Sequence, residues 1–235
     1  MKANLSISVC VPVFNEAATL KEAVKDLYLT LEPCVLSLEI IIVNDGSTDS
    51  TAYLAEEIAK DCDKKVKVIH HSVNLGIGVS YRDALAIAQG QYFTWFPGDH
   101  ENSAEEFIQC LLYLREDTMV TSYHGTSDRR SLLRRSVSRF YTWLLNKYFR
   151  LNLKYYNGLT IFPVAVLRSF PLLTNGFALF AESLIRAIKS GCKIVELPYP
   201  LKQRRAGRSN ALSILSVARM IQDVCCNLLF SRKAR

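Results

Sequence analysis

The chain has 235 residues, 49% of them hydrophobic and 22% charged, a composition that excludes a disordered or low-complexity protein. Its length fits one large α/β domain better than two small ones. The net charge of +7 combines an acidic half and a basic half: residues 1–128 hold 9 Lys+Arg against 19 Asp+Glu (−10), and residues 129–235 hold 20 against 3 (+17).

The first half predicts alternating strands and helices. Apolar, β-branched runs predict buried strands, and apolar residues at helical spacing predict the helices between them. The predicted strands cover residues 5–13, 38–43, 66–70, 91–96 and 118–123, and the predicted helices cover 17–31, 48–62, 77–89 and 103–114. This alternation is typical of a doubly wound, mainly parallel sheet.

The second half predicts a long helix that starts near residue 133 and carries an apolar stripe. A strand over residues 159–166, a helix over 181–189 and a short strand over 194–197 follow. The last predicted element is an amphipathic helix within residues 213–235. The strongly basic charge of this half indicates that it faces anions.

Polar motifs follow three of the predicted strands, at the carboxyl edge where such sheets bind ligands. The first is Pro12-Val13-Phe14-Asn15-Glu16, the second is the turn from Asn44 to Thr51 with Asp45 and Gly46, and the third is Pro97-Gly98-Asp99. A carboxylate at a strand end can accept an N–H from a nucleobase, and the glycine lets backbone approach closely. Taken alone, Asp45-Gly46-Ser47 is equally common turn chemistry.

Together with Asn74-x-Gly76-x-Gly78, these motifs resemble the family 2 glycosyltransferases of the GT-A fold, above all the dolichol- or polyprenyl-phosphate sugar synthases. The resemblance extends over residues 5–212. It implies a Rossmann-like, mainly parallel mixed sheet flanked by helices. It also implies that the nucleotide-sugar site includes Pro12, Phe14, Glu16, Asp45, Gly46, Asn74, Gly78, Arg82, Gly98 and Asp99.

The same resemblance implies a Mg²⁺ or Mn²⁺ ion held against the donor diphosphate by an Asp-x-Asp motif. Here Pro97 replaces the first Asp, which leaves Asp99 as the matching carboxylate and Glu101 as a second oxygen ligand. A metal-independent enzyme, in which Arg replaces the cation, and a chain without activity are the alternatives.

Arginines of the basic half are the candidates for gripping phosphate, which a guanidinium binds in a bidentate fork. Arg130 and Arg134 lie at the start of the long predicted helix. Arg204 and Ser209 match the family's Arg-x-x-Gly-x-Ser-Lys loop, although Asn210 replaces its Lys. We assign Asp99, Arg130, Arg134 and Arg204 to catalysis, and Arg204 and Ser209 also to donor binding. Glu182 is expected to orient an arginine.

These observations predict one domain over residues 1–235, with a nucleotide-sugar half (1–128), an acceptor half (129–212) and a C-terminal amphipathic helix (213–235). The expected reaction is inverting transfer from a UDP- or GDP-sugar to a polyprenyl phosphate. With no signal sequence and no spanning segment, we expect a cytoplasmic protein on the cytosolic face of a membrane. We also expect contact with a membrane-spanning partner subunit or with a second copy of this chain. We do not expect binding to nucleic acid. A hydroxyl acceptor on a polysaccharide or protein, and an inactive nucleotide-sugar-binding module, are the alternatives.

Overall fold

A computed structural model describes residues 3–62, 65–99, 103–124 and 132–199. Strands and helices alternate along most of this part of the chain. In order the elements are β1 (Ala3–Val13), α1 (Leu20–Leu31), β2 (Val35–Asp45), α2 (Thr51–Asp61), β3 (Val66–His71), α3 (Ile77–Ile87), β4 (Tyr92–Trp95), α4 (Glu105–Leu111), β5 (Thr118–His124), α5 (Leu132–Phe149), β6 (Thr160–Pro163), α6 (Val164–Arg168), α7 (Ala178–Lys189) and β7 (Lys193–Tyr199).

The strands form one mixed sheet in the order β3-β2-β1-β4-β6-β5-β7. β1 pairs in parallel with both β2 and β4, and β2 pairs in parallel with β3. β6 runs antiparallel to its two neighbours, while β5 and β7 are parallel. The predicted α/β fold with a mainly parallel mixed sheet is confirmed.

The sheet separates two apolar layers, and the strand residues alternate between them as the period of two requires. Cys10, Ile41 and Val43 contact the layer that includes α3, α5 and α7. Val9, Val11, Ile40 and Ile42 contact the layer that includes α1, α2 and α4. The central strands are therefore buried on both faces, which explains their continuous apolar runs.

One predicted element is wrong in part. Residues 159–166 were expected to form a strand, but the strand ends at Pro163 and helix α6 begins at Val164. Proline lacks the N–H that a continued ladder needs, and its fixed φ suits a helix start. The other predicted helices and strands up to residue 199 are present, with bounds that differ by up to three residues. The predicted helix within 213–235 lies outside the described residues.

Within the described part of the chain, no helix combines the length and the apolar character that crossing a bilayer requires. The five cysteines found there are free thiols.

Candidate functional site

Four parallel strands end at one edge of the sheet, and their last residues are Val13, Asp45, His71 and Trp95. The order β3-β2-β1-β4 places β1 between β2, which follows it in sequence, and β4, which comes later. The chain therefore crosses to opposite sides of β1. Such a switch point opens a crevice beyond the strand ends, where doubly wound folds bind ligands.

The loops after β1 and β2 are hydrogen-bonded to each other. The Asn15 side chain accepts the Thr48 N–H at 2.8 Å, and the Asn15 N–H donates to Ser47 Oγ at 3.0 Å. The Glu16 N–H donates to Thr51 Oγ1 at 2.9 Å. Asn15 adopts a φ of 56°, a left-handed conformation that asparagine tolerates better than most residues. These bonds fix the Pro12–Glu16 motif against the Asp45–Thr51 turn.

Asp49 closes that turn. Its carboxylate accepts both the N–H and the hydroxyl of Thr51 and, at 3.3 Å, the Ala17 N–H. The Thr51 hydroxyl holds the pKa of Asp49 below its ordinary value. Asp49 therefore stays ionised at neutral pH and supports the turn.

Asp45 is buried at the end of β2 and its carboxylate is almost fully engaged. Oδ1 accepts the Leu75 N–H at 2.8 Å and faces Nδ1 of His71 at 2.7 Å, and Oδ2 accepts the Gly76 N–H at 2.8 Å. A carboxylate offers about four acceptor positions. Contacts within the described residues occupy three of them, two on Oδ1 and one on Oδ2.

The glycines of the predicted site mark close backbone approaches. A Cβ on Gly46 would collide with the backbone of Val73 and would lie 2.6 Å from the backbone nitrogen of Asn74. Gly46 has a φ of 71°, which further favours glycine. The turn after β2 thus packs directly on the loop that contains Asn74, and the structure brings these predicted residues together.

Gly78 and Arg82 dock helix α3 on the loop of residues 173–176. The Gly78 N–H donates to the Asn175 carbonyl at 2.8 Å, and a Cβ on Gly78 would collide with the Thr174 carbonyl. Arg82 donates from Nη1 to the Thr174 carbonyl at 2.7 Å and from Nη2 to Asn175 Oδ1 at 2.6 Å. The terminal nitrogens of Arg82 are thus engaged within the protein, and its predicted contact with the donor stays a prediction.

Glu182 holds the same loop from the other side. Its fully buried carboxylate accepts the N–H groups of Leu173 and Thr174 and the Nε–H of Arg186 at 2.8 Å. The predicted role of Glu182 as an ion-pair partner of an arginine is confirmed.

The end of β4 leads into Pro97, Gly98 and Asp99, next to the loop after β1. The Thr19 hydroxyl lies 2.9 Å from both the Gly98 carbonyl and Glu16 Oε2. A Cβ on Gly98 would collide with the Val13 side chain. Glu16, Gly98 and Asp99 therefore lie at one mouth of the crevice, and Phe14 is exposed beside them with Pro12 half-buried.

The described residues contain no group of three or more His, Cys, Asp or Glu side chains placed to hold a metal ion. Of the two carboxylates expected to hold the metal, the described residues include Asp99, whereas Glu101 lies outside them. Mg²⁺ is usually held by one or two carboxylates together with substrate phosphates. The carboxylate of Asp99 therefore fits a metal ion that binds together with a diphosphate.

Several predicted phosphate-binding residues lie outside the described residues. These are Arg130, Arg204 and Ser209. Arg134 belongs to the first turn of α5, and of its side chain nothing is described.

The outer part of α5 forms a basic and aromatic surface, which we call the α5 surface. An open pocket of about 420 Å³ lies there. It is lined by Arg139, Thr142, Trp143, Asn146, Lys147, Leu151, Asn152 and Lys154. Lys147 Nζ lies 5.2 Å from the centroid of the Trp143 ring, and Trp143 stacks on the exposed Phe140.

Sequence reasoning missed His71. It ends β3 beside Asp45, and its ring nitrogens face Asp45 Oδ1 at 2.7 Å and Asp83 Oδ2 at 3.0 Å. The available signal was its position at the end of a parallel strand that neighbours the strand of Asp45.

Comparison with known proteins gives a match over residues 8–175 to the family model described as glycosyl transferase family 2. Glycosyltransferase AglD of Haloferax volcanii is 26% identical over 206 residues, which cover 83% of this chain and 33% of AglD. Undecaprenyl-phosphate 4-deoxy-4-formamido-L-arabinose transferase of Salmonella choleraesuis is 25% identical over 141 residues, which cover 60% of this chain and 43% of the relative. The chain thus spans less than half the length of these two relatives.

Solved structures with the same fold include glucosyl-3-phosphoglycerate synthase from Mycobacterium tuberculosis in complex with UDP. Its TM-score is 0.70 at 21% identity, over 94% of this chain and 79% of that one. The same enzyme with Mn²⁺, UDP and glucosyl-3-phosphoglycerate gives a TM-score of 0.69 at 19% identity, over 96% and 79%. At this identity the likeness establishes the GT-A fold.

Proposed function

The chain belongs to the family 2 glycosyltransferases, and from that membership we propose that it transfers a sugar from a UDP- or GDP-sugar to a polyprenyl phosphate at a membrane surface, with inversion. One observation carries the proposal. The loops after β1, β2 and β4 are joined at the switch point of the sheet, with Asp45 and Asp99 at their ends.

The nucleotide is proposed to bind beside Asp45. A further acceptor position on Oδ2 would suit the N3–H of uracil or the N1–H of guanine. Phe14 is 44% exposed at the next strand end, where it offers a ring face to the base. Pro12, Glu16, Gly46 and Asn74 complete the wall of this pocket in the proposal.

The diphosphate is proposed to lie at the mouth formed by Gly98 and Asp99. Asp99 and Glu101 would hold a Mg²⁺ or Mn²⁺ ion there, and such an ion offsets the charge that builds up on the leaving diphosphate. The M. tuberculosis enzyme has been crystallised with Mn²⁺ and UDP, which supports this assignment through the shared fold. Arg204 and Ser209 would close on the phosphates.

The acceptor is proposed to be a phosphate monoester on a polyprenyl chain. One phosphate oxygen attacks the anomeric carbon as the bond to the diphosphate breaks, and the nucleoside diphosphate leaves. The phosphate is already ionised near neutral pH, so the reaction needs no strong base. Arg130 and Arg134 would neutralise the acceptor and stabilise the transition state.

The α5 surface supports a membrane-bound acceptor. Arg139, Lys147, Lys154 and Trp143 line one open pocket, and Lys147 lies over the Trp143 ring, a combination of cations and an aromatic ring that is typical of helices lying in lipid headgroups. The name of the Salmonella relative, which contains undecaprenyl phosphate, points to the same class of acceptor.

A donor screen tests the proposal. The protein is incubated with radiolabelled UDP- and GDP-sugars, polyprenyl phosphate and Mg²⁺ or Mn²⁺, and label in the organic phase is counted. We expect transfer from one donor class, and a loss of at least about 100-fold in the Asp99→Asn variant. The matched control is Asp117→Asn, an exposed carboxylate paired with Lys193.

The other outcomes each overturn part of the proposal. Transfer to a polysaccharide or protein hydroxyl and not to the lipid would replace the acceptor. Equal rates for Asp99→Asn and the parent would remove the metal assignment. Nucleotide binding without any transfer would favour an inactive binding module, which the Pro97 substitution motivates.

A further inference from the structure

The loop of residues 173–176 is anchored on helix α7. The carboxylate of Glu182, which is fully buried, accepts the N–H groups of Leu173 and Thr174 and is paired with Arg186. Breaking such contacts is costly, because it would leave a charge unpaired away from water. The loop therefore forms a fixed support beside helix α3.

Arg82 fastens helix α3 to this support. Its Nη1 donates to the Thr174 carbonyl at 2.7 Å, and its Nη2 donates to Asn175 Oδ1 at 2.6 Å. A guanidinium holds its donors in one plane, so the two contacts fix the helix and the loop relative to each other. Thr174 is buried, and removing the guanidinium would take this donor from a carbonyl that water reaches poorly.

The start of α3 connects the support to Asp45. The Asn175 carbonyl accepts the Gly78 N–H at 2.8 Å and lies 3.0 Å from the position that a Cβ on Gly76 would take. The Gly76 carbonyl accepts the Val79 N–H in the first turn of α3, and the Gly76 N–H donates to Asp45 Oδ2 at 2.8 Å. Gly76 thus contacts the helix, the loop and the carboxylate, so a shift of α3 would move an amide that Asp45 accepts.

We propose that Arg82 is a positioning residue of the donor site, which acts through the 173–176 loop and the start of α3 to hold the Asp45 carboxylate in place for the base. This inference rests on the proposed role of Asp45 in binding the base. Arg82 contributes to nucleotide affinity without contacting the nucleotide, because its terminal nitrogens are used by Thr174 and Asn175.

Loss of the guanidinium loosens the start of α3. The Gly78 N–H still donates to the loop, so the helix stays folded, but its position is less well fixed. The Leu75 and Gly76 amides, which each donate to Asp45 at 2.8 Å, then open more often. A nucleotide has to restore the closed arrangement when it binds, and this cost lowers its apparent affinity.

Hydrogen exchange followed by NMR, with no ligand present, tests the first step. In Arg82→Gln we expect the Leu75 and Gly76 amides to exchange at least about tenfold faster than in the parent, because local opening sets the rate for such amides. This measurement does not depend on the identity of the nucleotide or on catalysis.

Titration calorimetry with UDP and GDP tests the second step. We expect about tenfold lower affinity in Arg82→Gln for the nucleotide that the parent binds. Arg82→Lys keeps the charge but places it on one nitrogen, which does not reproduce the two contacts of the fork, so it should recover little of the loss. Asn175→Ala removes one contact and keeps the arginine. It should give a smaller loss of the same kind, and it carries the test if Arg82→Gln does not fold.

The matched control is Arg168→Gln, because Arg168 ties down the other end of the same helix. Its Nη2 donates to the carbonyls of Leu85 and Ala88 at 2.7 Å and 2.8 Å. Both substitutions remove an arginine that holds α3, so both should lower stability to urea. We expect Arg82→Gln, and not the control, to weaken nucleotide binding and to speed exchange of the amides that donate to Asp45.

The outcomes separate this inference from the proposed function. Unchanged nucleotide affinity in Arg82→Gln overturns the inference and leaves the donor site intact. Lower affinity with fully protected Leu75 and Gly76 amides, or full recovery in Arg82→Lys, overturns it as well and indicates direct contact between Arg82 and the nucleotide. An equal loss of affinity in Arg168→Gln overturns it by showing a general effect of stability. If the parent binds neither UDP nor GDP, the proposed donor fails, and the inference with it.

Discussion

At the scale of single residues, Glu106 is a buried acid that the proposed chemistry does not use. It lies on α4 next to Ser122, and burial raises its pKa from 4.5 to about 7. The folded state therefore holds a proton that the unfolded chain releases at lower pH. The associated stability is complete below about pH 4.5 and is lost as pH rises through about 7, with an upper bound of about 3 kcal/mol.

Glu106→Gln should remove this penalty, because an amide has the same shape and stays neutral. We expect the variant to exceed the parent in free energy of unfolding by about 1–3 kcal/mol at pH 8 and to differ little at pH 5. Urea unfolding followed by circular dichroism at both pH values measures this. Glu105→Gln, an exposed neighbour on the same helix, is the control, and an equal gain in that variant would refute the assignment.

The predictability of single residues depended on whether their partners were near in sequence. The role of Glu182 could be predicted because a lone acid in a basic segment needs a cation, and Arg186 is four residues away. His71 could not, because its partners Asp45 and Asp83 belong to two other elements that only the folded sheet brings together. The engagement of Arg82 with the 173–176 loop was hidden for the same reason.

At the scale of elements, the local sequence pattern was sufficient to predict a strand or a helix where one or both of its faces are buried along its whole length. The apolar runs of β1 and β2 predicted strands since both faces contact core. The run 159–166 is equally apolar but contains Pro163, and its last three residues belong to helix α6, in which Val164 is buried. Hydrophobicity alone does not distinguish a buried strand from a buried helix.

The contact between α3 and the 173–176 loop yields a test at this scale. Gly78→Ala would place a Cβ against the Thr174 carbonyl and 2.6 Å from backbone atoms of Asn175. We expect the loop to be displaced and the protein to lose about 2–4 kcal/mol of unfolding free energy, since neither backbone can yield without breaking its hydrogen bonds. Thermal and urea unfolding would measure the loss.

Gly176→Ala is the matched control, because no atom lies within 4 Å of its added Cβ. It should change stability by less than about 0.5 kcal/mol. If the two variants were equally stable, the close docking of α3 on this loop would be wrong.

At the scale of the whole molecule, two sequence features predicted the location of the site. Alternating strands and helices placed four strand ends on one edge, and polar motifs followed three of the predicted strands. The charge difference between the halves predicted an anion-facing surface, and an open pocket is lined by Arg139 and Lys147 of α5 and by Lys154 from the segment that follows the helix. The pocket itself depends on how α5 meets residues 151–154, which no local pattern specifies.

Association with anionic membranes is the prediction that belongs to this scale. Lys147 is exposed on the α5 surface beside Trp143, and each cation near an anionic bilayer contributes about 1 kcal/mol. Reversing its charge in Lys147→Glu should therefore weaken binding by about 2 kcal/mol, roughly 30-fold, to phosphatidylcholine vesicles that contain about 30% phosphatidylglycerol. Co-sedimentation at low salt measures the binding, which added salt should reduce.

Lys21→Glu makes the same charge change on α1, where the parent lysine lies 3.5 Å from Glu57 and far along the chain from α5. If net charge alone drives vesicle binding, both substitutions should weaken the binding equally. If the α5 surface contacts the membrane, Lys147→Glu should weaken the binding much more than Lys21→Glu. Trp143→Ala should then weaken the binding further without altering its dependence on salt. Because the acceptor phosphate is proposed to lie in that bilayer, the loss of vesicle binding should lower lipid glycosylation while leaving nucleotide affinity unchanged.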